Sequence, residues 1–223
     1  MNAEQTNNIK LSENIIIADA DYIDYVAFQL SVQFERMIGR RIPPADLSQW
    51  IVNIALDGGL RQDGTKHETQ VILIHEKDKN KLDNYVPSDY EKELNGQAFE
   101  DPQFGEFLIN AFSVENIVSK DEYICDLIKT IVEHEEVKRI MIIPNGEQGD
   151  TYDIIRQVLR PVDNNQRITV FAMQPMAGGN FRQEILGYSL LNALGLKLRN
   201  SIYGFPTVSN DFTRECSEAT AGL

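Results

Sequence analysis

Six carboxylates are spaced so that they could hold a divalent cation: Asp19 and Asp21 in IIIADADYID, Asp121 and Glu122 in SKDEYICDLIKTI, and Asp150 and Asp153 in GEQGDTYD. Hard cations such as Mg²⁺ or Mn²⁺ take oxygen ligands and complete their shells with water or substrate phosphate. A metal held in that way can activate water and stabilise the leaving oxygen of a phosphate ester. Carboxylates crowded without a cation repel one another and need raised pKa values. A second explanation stands beside this one. Asp21 and Asp24, like Asp150 and Asp153, are three residues apart at the start of helical patterns. That spacing suits helix capping, and acidic side chains are favoured at the positive end of a helix dipole. Capping accounts for those four residues but less well for Asp19, which is expected at a strand end ahead of the cap. Both explanations remain open on the sequence.

Positioning such groups requires a sheet. IIIA (15–18), QVILIHE (70–76), RIMIIP (139–144) and RITVFAM (167–173) are apolar runs rich in Ile and Val without polar alternation. They read as strands of a parallel sheet covered on both faces. Helical faces lie between them. The first carries Ile23, Val26, Ala27, Leu30, Phe34, Met37 and Ile38; the second, Leu47, Trp50, Ile51 and Ile54, stops near Gly58-Gly59. Further helices are expected over 121–136, 152–160 and 181–194. The alternation predicts an α/β fold with a mainly parallel central sheet. In such sheets ligands bind beyond the carboxyl ends of the strands, where Asp19, Asp21, Asp150 and Asp153 fall. Residues 83–118 are read as an acidic insertion of unassigned secondary structure, and 201–223 as a polar tail.

Other signals are weaker. Gly178, Gly179 and Asn180 precede the 181–194 pattern, where backbone N–H groups could meet a phosphate or simply make a turn. Each histidine precedes a glutamate, as in His75-Glu76, but none continues to H-E-x-x-H. Arg36, Arg40 and Arg41 cluster at the end of the first helix, favourable against its dipole alone.

The chain has 223 residues and a net charge of −13, and −11 of that falls within 83–136, which holds 14 acidic and 3 basic side chains. That balance argues against broad nucleic-acid affinity. No apolar run reaches the roughly 20 residues that cross a bilayer, so no membrane association is expected. The polar start without a signal-like segment, and two distant cysteines, Cys125 and Cys216, lead to an expected cytoplasmic location.

The order of acidic elements resembles the NYN domains of the PIN-like nuclease superfamily. IADAD resembles their I-D-G-D-N strand end, with Asp19 and Asp21 at its acidic positions. SKDEYICDLIKTI resembles their K-G-x-D helix, with Asp121 or Glu122 at the acid, and GDTYDII resembles S-G-D-x-D-F, with Asp150 and Asp153. RITVFAM resembles their V-x-V-x-G-F strand. The match covers residues 15–40 and 119–195 in pieces. It departs at PNGEQGD, at Tyr22, and over Gly58 to Ser119, which has no counterpart. The whole chain also looks like a bacterial family of unassigned function. The NYN resemblance implies a Rossmann-like three-layer αβα sandwich over residues 1–200. It further implies a Mg²⁺- or Mn²⁺-dependent ribonuclease, with Asp19, Asp21, Asp150 and Asp153 as catalytic residues and Asp121 and Glu122 as further metal ligands. The alternative is a non-catalytic module of the same fold that binds a protein, a second copy of itself, or a small phosphorylated ligand.

Overall fold

The computed structural model describes residues 11–114, 118–200 and 206–209, the last two strands as backbone alone. The chain runs β1 (Asn14–Asp19), α1 (Ala20–Ile38), β2 (Ala45–Asp46), α2 (Leu47–Asp57), β3 (His67–Glu76) and β4 (Tyr85–Val86). A single π-turn (Tyr90–Leu94) follows, then β5 (Gln97–Asp101), β6 (Gly105–Val114), α3 (Lys120–Val132), β7 (Arg139–Ile143) and α4 (Thr151–Leu159). A 3₁₀ turn (Asn165–Arg167), β8 (Ile168–Ala172), β9 (Arg182–Ile185), α5 (Leu186–Ala193), β10 (Lys197–Asn200) and β11 (Pro206–Ser209) complete it. Most of the polar tail expected over 201–223 lies outside the described residues.

Seven strands form the central sheet in the order β5-β6-β3-β1-β7-β8-β9, and every pairing is parallel except β5 with β6. Counted along the chain, the six parallel strands lie in the doubly-wound order 3-2-1-4-5-6, which reverses between β1 and β7. The isoleucine run of β1 feeds two cores at once, because alternate residues point to opposite faces. Ile16 and Ala18 pack with α1, α2 and α5; Ile15 and Ile17 pack with α3 and α4. The result is a three-layer αβα sandwich with a mainly parallel sheet, the architecture the alternating pattern predicted.

The structure departs from the sequence reading in three places. The 181–194 segment is not one helix: Arg182–Ile185 pairs with Thr169–Ala172 as edge strand β9, and only Leu186–Ala193 is helical. Gly178, Gly179 and Asn180 therefore precede a strand, so no helix N-terminus is there to meet a phosphate. Instead Asn180 Nδ2 donates to the carbonyls of Leu159 and Val162 at 2.9 and 2.7 Å, closing the end of α4. Residues 83–114 of the stretch read as an insertion are structured, with β6 inside the sheet, paired to β3 along the whole of His67–Glu76. Met37, placed by periodicity on the buried face of α1, is 64% exposed.

A buried arginine secures the far end of α3. Arg167 Nη1 and Nη2 donate to the carbonyls of His134, Val137 and Val132 at 2.5–2.7 Å. These include orphan acceptors at a helix C-terminus, where a cation also suits the dipole.

Candidate functional site

The edge where β1 meets α1 is built around an ammonium group. Asp19 is the N-cap of α1, and its Oδ1 accepts from Tyr22 N–H at 3.0 Å. The residue expected to stand free of the helix is thus the one that caps it. The polypeptide leaves β1 directly into α1, with no intervening residue to serve as a separate cap. Asp21, expected as the cap, sits inside the first turn of α1. Its Oδ2 accepts from Glu76 N–H at 2.9 Å and from Lys120 Nζ at 2.7 Å. Lys120 Nζ lies 2.8 Å from Asp19 Oδ1 and 3.8 Å from Glu76 Oε1. Asp19 is 1% exposed and the Lys120 side chain 12%.

Burial and charge compete in this cluster. Burial pushes the Asp19 carboxyl above its ordinary range, and the Lys120 ammonium and the Tyr22 N–H offset this only in part. Burial pushes Lys120 down, but Asp19 and Asp21 outweigh it and hold the amine above its usual value. The ammonium is therefore charged at neutral pH and supplies the cation that paired carboxylates require. Lys120 is the member of this cluster that sequence reasoning passed over. It opens α3, where a positive charge opposes the helix dipole. A lysine in that first turn is a signal that carboxylates must be nearby.

Asp24 does not cap α1. Its Oδ1 accepts from Asn84 N–H at 2.8 Å, and Asn84 Nδ2 donates to its carbonyl at 3.2 Å, tying the segment before β4 to the helix. The Tyr22 hydroxyl is buried without a hydrogen-bond partner among the described residues, and burial, with Glu147 and Asp19 nearby, raises its pKa.

The remaining expected ligands are dispersed. Glu122 completes a capping box with Ser119, its Oε2 accepting from Ser119 N–H at 3.1 Å. Asp153 pairs with Arg156 at 2.8 Å on the exposed face of α4. Asp150 is at the N-cap position of α4 but makes no side-chain cap bond. Asp121 and Asp150 instead flank the buried Cys125, whose thiol is pushed up to about 11, first by burial and then by Asp121, Asp126 and Asp150 around it. Among the described residues, no three His, Cys, Asp or Glu side chains are grouped to hold a metal ion. The residues at the β1 edge do not fit Mg²⁺ or Mn²⁺, because Lys120 already occupies the position between Asp19 and Asp21.

Next to this cluster, beyond the carboxyl ends of β3 and β6, lies a hollow of about 470 Å³ lined by His75, Lys77, Lys79, Lys92, Asn95 and Ser113. His75, 7% exposed, stacks on Tyr90 with ring centres 3.8 Å apart and planes 5° from parallel. No helix among the described residues is long and apolar enough to cross a membrane.

No curated protein and no solved structure is detectably similar to this chain. Residues 8–200 match a family of unknown function, DUF6621, and the chain belongs to that family.

Proposed function

We propose that this member of a family of unknown function is a non-catalytic α/β binding module, in which Lys120 takes the place that a metal ion holds in carboxylate-dependent phosphodiesterases. The observation that carries the reading is the ammonium at 2.8 and 2.7 Å from Asp19 and Asp21. Mg²⁺ demands about six oxygen ligands at roughly 2.0–2.1 Å in near-octahedral array. Seating it here means expelling a buried ammonium and leaving that charge unpaired, which is costly. The other carboxylates of the NYN resemblance are engaged in a capping box, an ion pair with Arg156, or the surroundings of Cys125.

The test is incubation of the full chain with single-stranded RNA and DNA in Mg²⁺ or Mn²⁺, beside Asp19→Asn. The expected result is no metal-dependent cleavage and no difference between the two proteins. Cleavage by the native chain that disappears in Asp19→Asn overturns the reading.

A second reading, a Mg²⁺- or Mn²⁺-dependent ribonuclease using Asp19, Asp21, Asp150 and Asp153, draws on one feature. Asp19, Asp21 and Glu76 all face a single cationic centre. It requires Lys120 to swing away when metal binds, and so predicts that Lys120→Met gains Mn²⁺ affinity or activity.

A further inference from the structure

We infer that the hollow beyond β3 and β6 binds the phosphoryl group of a small phosphate monoester. It lies on the carboxyl-end side of a parallel sheet, the side on which open α/β folds bind ligands, beside rather than at the β1–β7 reversal. Its volume of about 470 Å³ falls in the range of ligand sites and exceeds what a lone phosphate fills. A larger hollow of about 700 Å³, lined by Val132, Val158 and Arg167, opens instead on the side of the amino ends of β7 and β8.

Charge selects an anion. In a chain of net charge −13, this wall carries Lys77 and Lys79, with a third lysine, Lys92, paired to Asp89. Asp89 and Glu91 also line it, but Asp89 is committed: it accepts from the N–H groups of Glu91 and Lys92 and pairs with Lys92 Nζ at 3.3 Å. Lys77 and Lys79 have no ion pair or side-chain hydrogen bond among the described residues. Lysine serves phosphate as a point charge without fixed directionality.

The floor is preorganised. His75 Nδ1 is 2.9 Å from the Glu76 carbonyl, and only an N–H satisfies a carbonyl, so Nδ1 carries the proton. Tyr90 fixes the plane of the ring from one side. Nε2 then has no partner among the described residues, although the residue is 7% exposed. A ring nitrogen left open toward the lysines of the wall accepts from the hydroxyl of a singly protonated phosphoryl group, and Ser113 adds a neutral donor to its oxygens.

This inference rests on the chain binding rather than cleaving its ligand, and it is scored without metal, so its failure is separate from the outcome of the nuclease assay. The full chain is titrated with glycerol phosphate and with inorganic phosphate, with sulfate at matched ionic strength as control. Binding is followed by the ring NMR signals of its three histidines. The His75 signals are expected to shift saturably while those of exposed His134 stay still, with glycerol phosphate binding tighter than inorganic phosphate. Lys77→Ala with Lys79→Ala is expected to weaken binding about tenfold or more, since the pair removes two charge-assisted contacts to the phosphoryl group. Absence of a saturable His75 shift, an unchanged affinity in the double variant, or an equal response to sulfate overturns the site. Tighter binding of inorganic phosphate overturns the assignment to a monoester.

Discussion

At the scale of single residues, the ion pair of Lys120 with Asp19 and Asp21 decides more than any other contact. Removing one partner of a buried pair strands the other, at a cost of about 3–5 kcal/mol. Lys120→Met is therefore expected to lower unfolding stability in urea by that amount at neutral pH. Asp19→Asn should cost less, because asparagine still caps α1 and Lys120 keeps Asp21. The pH dependence has a definite sign. Because the folded pKa of Lys120 is raised, its contribution is complete below the unfolded value of 10.5 and is lost as pH rises through the folded one. The stability gap between the native chain and Lys120→Met should stay constant from neutral pH to about 10 and shrink above it, and should also shrink in acid as Asp19 and Asp21 take up protons; a gap that persists undiminished above the folded pKa of Lys120 would refute the assignment. The sequence displayed Asp19 and Asp21 plainly but not their partner. Lys120 is 99 residues from Asp21, and no local pattern links them. Its position against the helix dipole was the one legible clue.

At the scale of elements, legibility followed burial. β1, β3, β7 and β8 declared themselves because both of their faces are apolar. β9 did not, because its sequence, RQEI, is that of a polar edge strand, half-exposed and unmarked by periodicity. β6 was ambiguous because it lies near the sheet margin, with Phe107 and Ile109 buried and Glu106 and Ser113 exposed. Its start is set by Gly105, which has φ +94° and pairs with His67. A Cβ there would come within 2.2 Å of the His67 carbonyl oxygen. Gly105→Ala is expected to destabilise by about 2–4 kcal/mol through strain and backbone displacement. The check is an equilibrium denaturation midpoint, and a change under about 0.5 kcal/mol, the usual size of a neutral surface effect, would contradict it.

At the scale of the whole molecule, the acidic block at 83–136 is spread over the π-turn, β5, β6, α3 and the turn after α3, with Glu91, Glu93, Glu100, Glu106, Glu133 and Glu136 all exposed. Self-repulsion of a net charge of −13 opposes compaction, and salt screens it over a Debye length that falls from about 30 Å at 0.01 M to about 8 Å at 0.15 M. Raising NaCl across that range should raise Tm, each 1 kcal/mol relieved giving about 2–4 °C for a chain of this size. A fall in Tm would show that exposed ion pairs such as Lys81–Asp83 outweigh the repulsion. At the centre of the molecule, β1 has apolar side chains on both faces, so burial alone does not distinguish one register from its neighbour. Polar pegs at its two ends do. The buried Asn14 donates to the Glu68 carbonyl at 3.2 Å and accepts from Arg139 at 3.1 Å, and Asp19 meets Lys120 at the other end. The strand is thus a ruler of fixed count: exchanging one of its isoleucines for another aliphatic residue is tolerable, whereas adding or deleting a single residue turns Asp19 to the opposite layer and unseats α1 and α3 together.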